Sequence, residues 1–315
     1  MYKPADMNLW SGRDDGHGRE RWHQHISPLQ ESAPAGIALL GVASDEGVKR
    51  NHGRIGAENG PDIIRAALSN LAIHQNIPLY DAGNICCEQG NLETLQREQA
   101  DKICQLLEQN HFPLIIGGGH EIAYGSFAGL EKYISHNQKN DPIGIINLDA
   151  HFDFRHADQA TSGTPFLQIA NHCQQKEIPF HYLCLGINDT ANTKTLFTTA
   201  KQLKVQYLRD EGLNYWQFAQ IEQRLKNFIQ PCQAIYLSID LDVLPAATAP
   251  GVSAPAARGV SLDILEWLLT TIKQISGERF KLADIAEYNP KYDIDGRTAR
   301  VAARLCHLLT RKEES

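Results

Sequence analysis

Three apolar segments of this chain each end in side chains that bind metal ions, and that shared ending constrains the fold more than any other feature. In IGIINLDAHFDFR the run from Ile143 to Ile146 leads to Asp149, His151 and Asp153. Side chains two apart on an extended segment share a face, so these three groups converge on one side. In FPLIIGGGHE a shorter run breaks into Gly117, Gly118 and Gly119 before His120, and AIYLSIDLDVLP ends in Asp240 and Asp242. Strands that are apolar throughout read as buried on both faces, as in parallel sheets. In an open parallel sheet the carboxyl ends of the strands form the edge where ligands bind. Each Asp or His alone reads as a cap or a satisfied loop residue, but their joint occurrence on strand ends points to a site.

The rest of the chain keeps a βαβ rhythm. GIALLGV from Gly36 reads as the first buried strand, and the loop SDEGVKRNHGRIGAENG after it is long enough to suggest that it lines a site. Pro61 opens an amphipathic helix, PDIIRAALSNL. PLYDAG, HYLCLGI, KVQYL and KLADIAE complete the strands. Helices are read in NLETLQREQADKICQLLEQN, after His120, and around IEQRLKNFI, SLDILEWLLTTIKQI and RTARVAARLCHLLTR. The pattern predicts an α/β fold with a mainly parallel sheet of about eight strands and helices on both faces. No repeat or linker divides the chain. The expected organisation is an N-terminal arm, 1–35, anchored by Trp10 and Trp22, a single catalytic domain, 36–311, and a tail, 312–315.

Composition excludes several classes. With 30 basic and 37 acidic residues the net charge is -7, and no basic block tracks a phosphate backbone, so nucleic acid is not an expected partner. No apolar run is long enough to span a bilayer and the polar start lacks a signal-peptide core, which predicts a cytoplasmic protein without a membrane partner. The seven cysteines form no CxxC pair and read as reduced thiols.

His120, Asp149, His151, Asp153, Asp240 and Asp242 offer four carboxylates and two imidazoles, too many donors for one ordinary ion. Two divalent cations fit better, and an oxygen and nitrogen shell without thiolate favours Mn over Fe, Co or Zn. Paired ions lower the pKa of water, so the implied chemistry is hydrolysis.

The motifs GGGHE, DAHFD and SIDLDVLPAATAPG resemble those of the ureohydrolase superfamily of arginase, agmatinase and formimidoylglutamase, over about Gly41 to Arg304. The resemblance implies a three-layer α/β/α arginase-like fold and two Mn2+ per subunit, with the six residues above matching the ligands one for one. It also implies oligomers, and it matches Glu287 in AEYNP to the acidic residue that meets the substrate's amidine nitrogens. DEGVKRNHGRIGAENGP, SGTPF and YDIDGRTARVAARL are most similar to the formimidoylglutamase branch. Guanidine-cleaving relatives place a histidine near SGTPF, and this chain has none within it. The implied reaction is cleavage of N-formimidoyl-L-glutamate to L-glutamate and formamide, as in histidine degradation. In it Asp153 orients the attacking water, Glu287 holds the nitrogen, and His156 is the nearby candidate for the leaving-group acid.

An amidine that carries two carboxylates needs cationic partners. Arg155, two residues after Asp153, and Lys49, Arg50 and Arg54 on the long loop are the candidates, with Ser162 and Gly163 of SGTPF beside them. The alternatives are an agmatinase or guanidino-acid ureohydrolase, and, from another class, a metal-binding regulatory protein without catalysis. Asp293 or Asp295 is expected to cap the last helix.

Overall fold

Apolar runs that alternate with amphipathic segments can bury both faces of a sheet only if helices cover each face. The computed structural model of the chain, which describes residues 1–16, 18–74, 76–135 and 141–311, meets that requirement; the expected tail at 312–315 lies outside the described residues. The strands are β1 (Tyr2–Lys3), β2 (Ile26–Pro28), β3 (Ile37–Ala43), β4 (Leu79–Cys86), β5 (Phe112–Gly117), β6 (Ile143–Leu148), β7 (His181–Ile187), β8 (Gln206–Arg209), β9 (Ala234–Asp240) and β10 (Phe280–Ala286). They form one sheet in the order β1-β4-β3-β5-β10-β9-β6-β7-β8, with β2 also paired to β4. Only β1 runs antiparallel to its neighbour.

Among the described residues the sheet has ten strands, two more than the reading of about eight. β1 and β2, of two and three residues, are too short to show a hydrophobic period. Both lie in the arm and pair with the edge of β4 that β3 leaves free.

The α-helices are α1 (Trp22–His25), α2 (Glu46–Arg50), α3 (Gly60–Ser69), α4 (Leu92–Glu108), α5 (Ile122–Ser135), α6 (Pro165–Gln175), α7 (Lys194–Gln202), α8 (Phe218–Ile229), α9 (Leu262–Ser276) and α10 (Arg297–Thr310). The sequence pattern did not single out α6 or α7, nor α2 inside the long loop after β3. Strand alternation divides the core in two. Leu39, Leu114, Ile146, Leu237 and Ile285 pack with α3, α8, α9 and α10, while Leu40, Ile115, Ile145, Tyr236 and Leu282 pack with α4, α5, α6 and α7. The result is three layers, α/β/α. Asp293 caps α10: its carboxylate accepts from the Thr298 and Ala299 amides at 2.9 and 3.1 Å, whereas Asp295 does not. All seven cysteines are free. Among the described residues no helix is long and apolar enough to cross a membrane.

The arm is tied down by a buried charge. Arg65 of α3, 1% exposed, donates to both oxygens of Asp81 on β4 at 2.8 and 2.9 Å, to Asn84 Oδ1 at 2.7 Å and to the Gly83 carbonyl at 2.9 Å. The Trp10 indole N–H donates to the same Asp81 carboxylate at 2.7 Å, and Trp10 stacks on the buried Trp22. Arg65→Ala removes the guanidinium and leaves Asp81 charged and buried, which should destabilise the protein by about 3–5 kcal/mol. Urea unfolding of the two proteins measures this.

Candidate metal centre

The four central strands, β5, β10, β9 and β6, are parallel neighbours, so their carboxyl ends lie side by side. Register then sets the depth of each group. Asp240 pairs with Ala286, Leu148 pairs with Ile239, and the Glu287 amide donates to the Gly118 carbonyl at 2.8 Å. Asp149, Asp240 and Glu287 therefore leave the sheet at one level, with His120 just beyond the end of β5. The glycine run before His120 is dictated by crowding against the end of β3. A Cβ at Gly118 would lie 1.7 Å from the Ser44 carbonyl oxygen, and one at Gly119 would lie 2.1 Å from Glu121 Oε2.

All six expected ligands come together. His120 Nδ1 lies 3.2 Å from Asp149 Oδ2, 3.0 Å from Asp153 Oδ2 and 3.2 Å from Asp240 Oδ2. His151 Nδ1 lies 3.0 Å from Asp242 Oδ2 and 3.5 Å from Asp149 Oδ1. The side chains fall into two groups, His120 with Asp149, Asp153 and Asp240, and His151 with Asp149 and Asp242, whose donor atoms lie within 4.8 Å of one another. Asp149 belongs to both and turns one oxygen to each. The donor set fits a divalent pair: His120 Nδ1 and Asp242 Oδ1 are buried without a hydrogen-bond partner, and the donors are nitrogen and oxygen alone. The buried Cys184 thiol instead meets the His151 carbonyl at 3.5 Å.

Protonation follows from the same crowding. Burial opposes charge on every member, but the carboxylates around His120 and His151 raise both imidazoles well above their ordinary pKa. Burial likewise disfavours ionised Asp149, yet the two rings hold its carboxyl below the usual range. Burial and the neighbouring Asp242 and Asp149 push Asp240 up. Glu287, where the resemblance placed it, accepts from the His120 amide at 2.8 Å through Oε1 and leaves Oε2 without a partner. Burial, then the nearby Glu121, push its pKa up to about 8. Asp153 and Glu287 both hold positive φ, 51° and 68°, a conformation that costs a non-glycine residue about 1–3 kcal/mol and that clusters at functional sites.

A cavity of about 80 Å³ opens onto these groups, and Arg155, Ser162, Asn51, Ser253 and Ala254 line its mouth. Arg155 is exposed, and among the described residues its side chain makes no ion pair. Its amide donates to the Gly163 carbonyl at 2.9 Å, and a Cβ on Gly163 would lie 2.7 Å from Arg155 Cδ, so glycine there makes room for the arginine. The other expected cations are engaged elsewhere. Arg50 does not line the cavity: it donates to Glu93 at 2.7 Å and to the Gly90 and Ala160 carbonyls at 2.8 and 3.0 Å. Arg54 donates to the Ser253 and Val252 carbonyls and stacks over Tyr292, which positions Ser253 rather than a ligand. His156 is exposed and outside the lining. The sequence reading missed Asn51 and Ser253; the length of the loop after β3 was the only signal for Asn51, whose amide donates to Ser162 Oγ at 3.3 Å. A larger open hollow along β8 holds no such cluster of ligands.

A family model described as the Arginase family matches residues 35–310. A formimidoylglutamase of Chromobacterium violaceum is 48% identical over 310 residues, which cover 98% of each chain. Among solved structures, formimidoylglutamase from Bacillus subtilis superposes with a TM-score of 0.81 at 25% identity, covering 95% of this chain and 94% of that one. A Trypanosoma cruzi formiminoglutamase with Mn2+ gives 0.73 at 24% identity, covering 88% and 93%.

Because the surrounding carboxylates favour the protonated form of both imidazoles against the opposing effect of burial, a divalent cation competes with protons for those rings. Adding Mn2+ to metal-depleted protein should therefore release protons, and affinity should rise with pH. Calorimetry in buffers of different ionisation enthalpy measures the release. Asp149→Ala, which removes the residue common to both groups, should abolish metal retention and turnover together, as metal analysis and assay will read.

Proposed function

The chain belongs to the arginase family, and on that footing we propose that it is a two-manganese formimidoylglutamase, which cleaves N-formimidoyl-L-glutamate to L-glutamate and formamide. The observation that carries this reading is the meeting of two His/Asp groups through Asp149, beside the unpartnered Glu287 Oε2 and an arginine that makes no ion pair. The match to an enzyme family establishes a hydrolase, and the curated relative's name and the manganese in the Trypanosoma cruzi protein support the finer assignment.

His120, Asp149, Asp153 and Asp240 would hold one ion, and Asp149, His151 and Asp242 the other. When bound, such a pair supplies Lewis acidity that brings the pKa of water toward neutrality and stabilises developing negative charge. The protein's own groups do the remainder. Glu287 Oε2 hydrogen-bonds the formimino nitrogen and so fixes the carbon to be attacked. Arg155 pairs with a substrate carboxylate at the cavity mouth, next to the Asn51 amide and the Ser162 hydroxyl. Asp153 takes the proton of the attacking water and returns it to the departing glutamate nitrogen as the C–N bond breaks, and His156, exposed and outside the cavity lining, is given no role. The arm, 1–35, and the body, 36–311, act as one catalytic unit in the cytoplasm, working on a small molecule and assembling as a homo-oligomer.

The Mn2+-loaded protein, offered N-formimidoyl-L-glutamate, arginine, agmatine and guanidinobutyrate separately, should release formamide and glutamate in equal amounts from the first alone. Urea from a guanidine would make it a different ureohydrolase. Arg155→Ala should raise KM for the dicarboxylate about tenfold or more with metal content unchanged, since its interaction is with the bound ground state as well as the transition state. Steady-state kinetics with metal analysis separates the two effects.

A further inference from the structure

Behind His120, away from the cavity, lies a chain of buried hydroxyl groups that ends on a carboxylate. We propose that Asp284 is a positioning residue: acting through Ser238, it fixes the His120 ring in the tautomer that turns an unprotonated Nδ1 toward a metal ion. The proposal rests on the two-metal reading above and deepens it.

Asp284 of β10 and Ser238 of β9 are register partners on adjacent strands, and neither is exposed to solvent. Ser238 Oγ donates to Asp284 Oδ1 at 2.6 Å, and the Tyr236 hydroxyl donates to Oδ2. On its other side Ser238 Oγ lies 2.9 Å from His120 Nε2. A serine hydroxyl carries one proton. That proton goes to Asp284, so toward His120 the oxygen can only accept. Nε2 must then carry the hydrogen, and in the neutral ring the lone pair falls on Nδ1, the atom that faces Asp149, Asp153 and Asp240.

The direction of the whole chain is set by the one group in it that is acceptor-only. An ionised carboxylate at 284 draws every neighbouring hydroxyl proton to itself. A carboxamide there would offer its own N–H to Ser238, free the serine proton to turn toward Nε2, and leave His120 holding its proton at Nδ1, where an ion should bind. A purely architectural role for Asp284, joining β9 to β10, would not distinguish one metal position from the other. His151 has no equivalent support: among the described residues its ring meets only Asp149 and Asp242, and its Nε2 has no such anchor. The effect of Asp284 is therefore confined to one of the two positions.

The test uses metal-depleted full-length protein titrated with Mn2+ in competition with a chelator, which resolves the affinity of each position. Native protein should bind two ions; a native stoichiometry of one or none would overturn the two-metal reading before any variant is made. In Asp284→Asn and in Ser238→Ala one step should weaken about 10–100-fold, the range expected when an outer partner of a ligating histidine is lost, and the other should hold. Tyr236→Phe keeps the Ser238 donation to Asp284 and should change neither step by more than a few-fold. Thermal unfolding of the metal-free variants runs beside the titrations. Equal weakening of both steps, or unchanged affinity in Ser238→Ala and Asp284→Asn, would remove Asp284 from any positioning role. If Asp284→Asn fails to fold, Ser238→Ala, which changes only a hydroxyl, decides the matter by the same criterion.

Discussion

Four carboxylates confined to one small volume are the constraint on which the rest of the molecule depends. Two like charges about 4 Å apart repel by about 4 kcal/mol at the effective dielectric of a protein. Asp149, Asp153, Asp240 and Asp242 place several such pairs together, with three of the four carboxylates buried and Asp153 partly exposed at the cavity. A flexible scaffold would relax by letting the strand ends spread. Here the ends belong to four central strands, each hydrogen-bonded on both sides, and the layers of helices above and below leave no room for retreat. The two imidazoles offset part of the charge, and cations are needed for the remainder. The left-handed backbone at Asp153 and Glu287 belongs to the same account: the fold holds both residues where the chemistry needs them, at a local cost that the core absorbs.

What could be read from the sequence was whatever a local pattern carries. Apolar runs that end in Asp or His announced both the strands and the side chains that gather at their ends, because strand direction alone decides where a strand's last residue goes. The destinations of long side chains carried no such signal. Arg50 and Arg54 sit on the expected loop, but their guanidinium groups are claimed by Glu93 and Ala160 and by the carbonyls of Val252 and Ser253, partners that only the tertiary fold brings near. Arg155 lines the cavity and, among the described residues, has no such claimant. β1 and β2 were illegible because two or three residues cannot display a period. Asp284 did leave a trace. A carboxylate in the middle of KLADIAE, on a strand covered on both faces, has to find donors, and it found two hydroxyls on the neighbouring strand.

The long loop after β3 illustrates how a mobile-looking sequence becomes a wall. Glu46 and Arg50 pair along α2, Arg50 pins that turn to the start of α4, and Arg54 fastens the loop's far end to the segment around Ser253. Asn51 lies between these two fixed points, at the cavity mouth. Charges that make no contact with a ligand thus decide how accurately the residues at the mouth are held.

The two short strands of the arm have a consequence for how copies of this chain behave toward one another. Without them β4 would be the last strand on its side, eight residues long, with one full row of amide and carbonyl groups open to pairing. β2 covers the first part of that row and β1 the last, one running with β4 and the other against it. A chain shortened by some thirty residues would keep every metal ligand, yet present a template on which a second sheet can grow. Proteolysis of the arm would then be felt as edge-to-edge aggregation.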